Sequence, residues 1–154
     1  YGAYRALQDL YKEKKIRAIG VSNFSPDRLA DIIAFNAIAP QVNQVEANPF
    51  HQQIEAQKNM IKRNVQMQAW APFGEGKNHM FQNPILKDIV ALAKSIHIER
   101  MKENLEIFDF QISDEEMQQI TELDTKTSLF FDHQTPETVD RFVNLIEERK
   151  ERFS

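Results

Sequence analysis

The 154-residue chain contains no cysteine, which excludes disulfides, thiolate metal ligands and thiol nucleophiles together. It holds only four glycines. Gly74 and Gly76 do not complete the glycine-rich phosphate fingerprint with which an open doubly wound sheet grips a dinucleotide. Positive charge is not in excess: 19 lysines and arginines face 23 aspartates and glutamates, for a formal charge of −4. The chain therefore offers no general attraction to nucleic acid or to anionic membranes. No apolar run approaches the ~20 residues of a membrane span, and the opening stretch is too charged for a signal peptide. A cysteine-free chain suits a reducing compartment, and a cytoplasmic location is expected. Tyr1 opens the sequence within a helix-like stretch, without an initiator methionine.

What is present is a repeated strand-then-helix pattern. The apolar run Ile16 to Val21 predicts a strand buried on both faces. Ser25 is placed to N-cap a helix with Pro26 at its first position, and Leu29, Ile32 and Ile33 form that helix's apolar face. A second unit starts at Gln41 with Val42 and Val45, and its helix carries Ile54, Met60 and Ile61. A third starts near Gln66, with Met67, Ala69 and Ala71 on one face. Asn83-Pro84 caps the helix that follows, with Ile85, Leu86, Ile89 and Val90 as its buried residues. Strand starts at 16, 41 and 66 are evenly spaced, as parallel βα units require. Beyond residue 94 the pattern is helical only. Ser113 and Glu116 have capping-box spacing, and Thr135-Pro136-Glu137 opens a last charged helix ending near Phe153.

Parallel βα units build either an open sheet or a closed barrel. In a barrel the functional groups gather at the C-terminal ends of several strands. Here the three strands end in Ser22-Asn23, in Gln44 to Asn48, and in Trp70-Ala71-Pro72, so polar or aromatic groups stand at every end. A barrel fits better. A whole one takes about 250 residues and at least about 200, so this chain is expected to represent part of one. Taken singly, Ser22 and Asn23 are also ordinary turn formers, and Gln44 would serve as partner to a buried amide.

Four segments carry a resemblance. They are Lys15-Ile16-Arg17-Ala18-Ile19-Gly20-Val21-Ser22-Asn23-Phe24; Asn43-Gln44-Val45-Glu46-Ala47-Asn48-Pro49 with Gln52-Gln53; Ala69-Trp70-Ala71-Pro72-Phe73-Gly74; and the run from Lys94-Ser95 through Arg100 to Glu103-Asn104. In this order they resemble the signature segments of the C-terminal half of an aldo-keto reductase, most of all the bacterial members that reduce small dicarbonyl compounds and keto-sugars. The resemblance implies an α/β fold of the (β/α)8 TIM-barrel family, present as the C-terminal part of the barrel plus C-terminal helices in a single partial domain over 1–154. It also implies NADPH as cofactor and a small-molecule carbonyl substrate.

By that resemblance Ser22, Asn23 and Gln44 would hydrogen-bond the nicotinamide carboxamide, whose donor and acceptor need partners of both kinds. Trp70 would stack beneath the nicotinamide ring. Its alternation with Met67 and Ala69 favours the pore-facing side. Ala71, Pro72, Phe73 and Gly74 would run beside the pyrophosphate, Ala71 through its backbone alone because the family often carries serine there. Lys94, Ser95, His97 and Arg100 would surround a 2′-phosphate at a helix start, with Glu103 and Asn104 near the adenine amino group. Phe130 and Phe131, in the stretch 128–133, resemble the C-terminal loop that roofs the substrate pocket. Packing against the outside of the barrel is the alternative for that pair.

Two departures from the family pattern stand out. The family's proton-donating tyrosine, with its lysine, aspartate and histidine partners, belongs to a segment that precedes these motifs, and Tyr1, Tyr4 and Tyr11 do not sit in that motif. No catalytic residue is therefore assigned. The helix ending at Ala93 also runs directly into Lys94-Ser95, where the family normally inserts more helix and a last βα turn. An internal deletion near 93–95 is expected. Three readings follow: part of an NADPH-dependent carbonyl reductase, a cofactor-binding module without catalysis, or a partial barrel that associates with a complementary chain.

Overall fold

The computed structural model describes residues 1–89, 111–132 and 135–153. Its elements run α1 (Gly2–Lys12), β1 (Gly20–Ser22), α2 (Pro26–Ala34), β2 (Val42–Glu46), α3 (Ile54–Lys62) and β3 (Gln66–Trp70). A kinked run of tight turns, Gly74–Gln82, then leads to α4 (Pro84–Ile89), α5 (Asp114–Glu122) and α6 (Pro136–Phe153). The chain forms two compact units. One comprises 1–47, 53–70 and 130–154; the other comprises 48–52 and 71–129.

The first unit is built on a parallel sheet in the order β1-β2-β3. Gly20, Val42 and Gln66 lie in register across it, and so do Ser22, Gln44 and Gln68. Side chains alternate between the two faces of a strand. Val21, Asn43, Val45 and Met67 therefore face one way, and Ser22, Gln44, Glu46, Gln68 and Trp70 the other. The first face carries the core. Ile19, Leu29, Ile32, Val45, Met60 and Val65 are buried there, with Val21 and Met67 packed against them. Each such side chain contributes roughly 1.5–3 kcal/mol when fully buried. Helix α1 is attached by polar groups as well. Tyr4 donates its hydroxyl to the Ile38 carbonyl at 2.9 Å, and the buried Gln8 amide accepts from the Ile38 N–H at 2.9 Å.

Two expectations need correction here. The first strand is short, because the N–H of Ile19 is taken at 2.6 Å by the Gln41 side chain and ladder pairing begins only at Gly20. Nor is it buried on both faces, since Gly20 and Ser22 are exposed. On α3, Met60 is buried while Ile54 and Ile61 are exposed, Ile61 at 68%. One residue along a helix turns the side chain by about 100°, enough to carry Ile61 off the face that Met60 buries.

The second unit gathers Phe50, Met80 and Leu86, with Ile120, Leu123 and Leu129 packed around them. Gln52 ties the segment 48–52 to α5. Its side-chain amide donates to the Ile120 carbonyl at 2.7 Å, and its N–H reaches Asp124 Oδ1 at 3.3 Å. Gly74 has φ +52°, and a Cβ there would come within 2.7 Å of Leu129 Cδ1 and 2.9 Å of Met80 Cε. Only glycine fits without displacing that core. Asn83 caps α4 as expected, its Oδ1 accepting from the Leu86 N–H at 3.1 Å. Leu86 is buried and Ile85 half-buried, while the side chains of Ile89 and Val90 lie outside the described residues.

The capping box of α5 is complete. Glu116 donates its N–H to Ser113 Oγ at 3.3 Å, and the Ser113 N–H and hydroxyl donate to Glu116 Oε2 at 2.8 and 2.9 Å. The Ser113 N–H, and then its hydroxyl, hold the Glu116 carboxyl below the usual carboxylate range. A depressed folded-state pKa supplies stability that is present above the unfolded value and lost as pH falls through the folded one. Acidification below about pH 4 is expected to fray the first turn of α5. Ser113→Ala should fray it at neutral pH and remove the acid step, as read from the chemical shifts of Asp114 to Met117. An unchanged acid step in Ser113→Ala would assign the titration to another carboxylate.

Candidate functional site

The polar face of the first unit's sheet ends in a small constellation. The main-chain carbonyl of Gln44 accepts from the Asn23 N–H at 2.9 Å and from the Ser22 hydroxyl at 3.1 Å. Asn23 has φ 57°, a left-handed conformation that asparagine tolerates better than most residues. Its Oδ1 accepts from the Trp70 indole N–H at 2.8 Å. Ser22, Asn23, Gln44 and Trp70, on three different strands or strand ends, are thus brought together. Asn23, Gln44 and Trp70 are half-buried and Ser22 is exposed.

The Gln44 side-chain amide and Asn23 Nδ2 make no hydrogen bond among the described residues. A half-buried amide without a partner is costly unless water or a ligand meets it. The site therefore offers donors and an acceptor to a group that carries both.

Phe130 lies against Trp70, with ring centroids 5.1 Å apart and planes inclined by 58°. Phe131 meets Phe142 of α6 edge-on at 5.2 Å. The two phenylalanines diverge: Phe130 joins the polar-face site, and Phe131 anchors the loop to the following helix. Ala71, Pro72 and Phe73 belong to the second unit. There Ala71 has φ 47°, its carbonyl accepts from the Gly74 N–H at 2.8 Å, and Phe73 sits near Phe81. Lys94, Ser95, His97, Arg100, Glu103 and Asn104 lie outside the described residues, as do the junction at 93–95 and His133.

Two residues of this region went unassigned from the sequence. Asn43 is completely buried and braces the loop after β1, accepting from the Phe24 N–H at 3.3 Å and donating to the Phe24 carbonyl at 2.8 Å. Its signal was available: an amide two residues before Val45, on the strand's apolar face. Glu46 is the second, a carboxylate only 3% exposed and in register with Trp70.

The three tyrosines of the chain belong to α1 and its N-cap: Tyr4 and Tyr11 lie within the helix and Tyr1 caps it. Tyr4 and Tyr11 pack into the core on the helix-covered face, and the Tyr1 hydroxyl bonds the Asp31 carboxylate. Burial pushes the Tyr4 phenol up from its ordinary range. The bond to Asp31 does the same for Tyr1, which is exposed. Neither shift prepares a proton donor for neutral pH.

The chain belongs to the aldo/keto reductase family, whose family model matches residues 2–87. That span holds the first three signature segments and ends before the fourth. The chain is 38% identical over 142 residues to the 9,11-endoperoxide prostaglandin H2 reductase of Trypanosoma cruzi, covering 78% of this chain and 50% of that protein. It is 36% identical over 141 residues to the glyoxal reductase of Bacillus subtilis, again covering 78% and 50%. Among solved structures, an aldo-keto reductase from a Medee basin deep-sea metagenome library superposes with a TM-score of 0.66 at 32% identity. That match covers 86% of this chain and 57% of the other. The chain thus spans about half the length of the relatives it matches, and its three parallel strands with their helices are part of a barrel of that type. Among the described residues no helix is long and apolar enough to cross a membrane.

Proposed function

We propose that this chain supplies the nicotinamide cradle of an NADPH-dependent reductase that converts aldehydes or ketones to alcohols. The observation that carries the reading is the uncommitted amide pair, Gln44 and Asn23 Nδ2, at the strand ends beside Trp70. A carboxamide matches it, presenting one carbonyl acceptor and one NH2 donor. Trp70 offers an aromatic face that would hold the ring and exclude water, and Phe130 beside it would border the substrate. When bound, the nicotinamide supplies the hydride. Ser22, Asn23 and Gln44 fix which face of its ring is presented. The family membership and the likeness to a glyoxal reductase support a small, activated carbonyl compound as substrate. A chain without cysteine suits the cytoplasm.

The choice of NADPH rests on the basic cluster Lys94, His97 and Arg100. Arg100→Ala removes a charge-assisted pair of about 1.5–3 kcal/mol. NADPH affinity is expected to fall roughly tenfold to a hundredfold, with NADH losing much less because only stacking on adenine goes. Quenching of Trp70, the sole tryptophan, reads both titrations. Equal losses for the two cofactors would remove the 2′-phosphate from Arg100. Failure of either cofactor to quench Trp70 would remove the cradle from this site.

The observation favouring a binding module without catalysis is the placement of the three tyrosines, none of them on the polar face of the sheet. Turnover by the chain alone would overturn it.

A further inference from the structure

We infer that Trp70 is a positioning residue as well as a stacking surface: its indole N–H sets the polarity of the Asn23 amide, so that the cradle accepts a ligand carbonyl and rejects a ligand amine at that point. The inference rests on the nicotinamide reading of the site. Its premise is chemical. An indole N–H can only donate, so the Asn23 atom 2.8 Å from it must be the carbonyl oxygen. The left-handed backbone of Asn23, held by its N–H to the Gln44 carbonyl, fixes the side chain's root. With the root fixed and Oδ1 engaged, Nδ2 is the atom left for a ligand. A flipped amide would set two donors against each other, leaving one N–H unsatisfied at half-buried depth.

Ser22 carries the complementary polarity. Its single hydroxyl proton is spent on the Gln44 carbonyl, so its oxygen lone pairs face outward as acceptors. Donor at Asn23 and acceptor at Ser22 give a carboxamide one orientation rather than two. Gln44, uncommitted, adapts to either.

The test is calorimetric binding of the oxidised dinucleotide phosphate and two analogues whose carboxamide is replaced. The acetylpyridine analogue keeps a carbonyl and lacks a donor; the aminopyridine analogue keeps a donor and lacks the carbonyl. The unaltered chain should bind the acetylpyridine compound at least about tenfold more tightly than the aminopyridine one. Trp70→Phe keeps an aromatic face but frees the Asn23 amide to flip. Overall affinity drops, yet the preference should narrow to roughly threefold or less, since a free amide can turn its oxygen to an amine. Asn23→Asp retains an acceptor for the indole and offers the ligand only acceptors, so the preference should reverse.

A ratio unchanged in Trp70→Phe, with Asn23→Asp still reversing it, overturns the role of Trp70 while leaving the cradle intact. Equal effects on all three ligands in both variants mean that these residues only shape the site, which overturns the inference. If none of the three dinucleotides binds the unaltered chain, the nicotinamide reading falls, and the inference with it.

Discussion

Supplied with NADPH and an activated dicarbonyl compound, the 154-residue chain on its own is expected to turn over at least about a hundredfold more slowly than full-length relatives, and up to about ten-thousandfold. That range is what a positioned general acid contributes. Reduction of a carbonyl needs a proton at oxygen as hydride reaches carbon, and the family resemblance assigns that proton to a tyrosine in a motif these residues do not contain. The chain's own tyrosines are poor substitutes. Tyr4 spends its proton on the Ile38 carbonyl, Tyr1 on Asp31, and Tyr11 packs in the helix layer, while Ser22, Gln44 and Trp70 point to the other side of the sheet. Single-turnover assay at saturating NADPH separates chemistry from weak binding. Turnover at the rate of intact relatives would mean that another donor of the chain, such as Glu46 beside Trp70, protonates the oxygen. Replacement of Glu46 by glutamine would then abolish the activity. If activity appears only when a separate polypeptide bearing the missing motif is added, the proton donor is portable between chains, and the cradle described here is competent.

Much of this arrangement was legible in the sequence, and for identifiable reasons. The three strand ends could be placed because strand and helix periods differ, and because Ser22-Asn23, Gln44 and Trp70 fall where an apolar run stops. Trp70 could be assigned to the face opposite Met67 and Ala69 from strand alternation. The capping box at Ser113 was readable because it is a local bargain between two side chains and two backbone groups four residues apart or fewer. What failed was whatever depended on distant partners. The first strand looked six residues long, yet the Gln41 side chain takes the N–H of Ile19 and starts the ladder late. The uncommitted state of Gln44 and the bond between Trp70 and Asn23 were invisible to pattern, because they join residues on separate strands.

Asn43 shows most clearly how the fold serves the site, and its removal should be costly. The side chain is fully buried on the apolar face and makes both of its bonds to one residue, Phe24, which directly follows Asn23. Asn43→Ala leaves the Phe24 N–H and carbonyl without partners in a dry place. Each orphaned group costs about 1–3 kcal/mol, so the chain should lose about 2–6 kcal/mol of stability in urea, at unchanged m-value. Leu29→Ala provides the comparison, with an expected loss of about 2–5 kcal/mol from lost packing and the cavity left behind. Both variants should melt earlier, and their difference lies in the site. Loss of the Leu29 side chain leaves the Phe24 clamp in place, so the indole resonance of Trp70 should stay where it is. Loss of the Asn43 clamp releases Phe24 and with it Asn23, so the same resonance should move toward its free position as the bond to Oδ1 loosens. Asn43→Asp keeps the acceptor for the Phe24 N–H, abandons its carbonyl and adds a charge on the apolar face, and should rescue neither stability nor resonance at neutral pH. An Asn43→Ala variant within about 0.5 kcal/mol of the unaltered chain, the range of an ordinary surface change, would show that water replaces the amide there and that the loop after β1 holds its shape unaided.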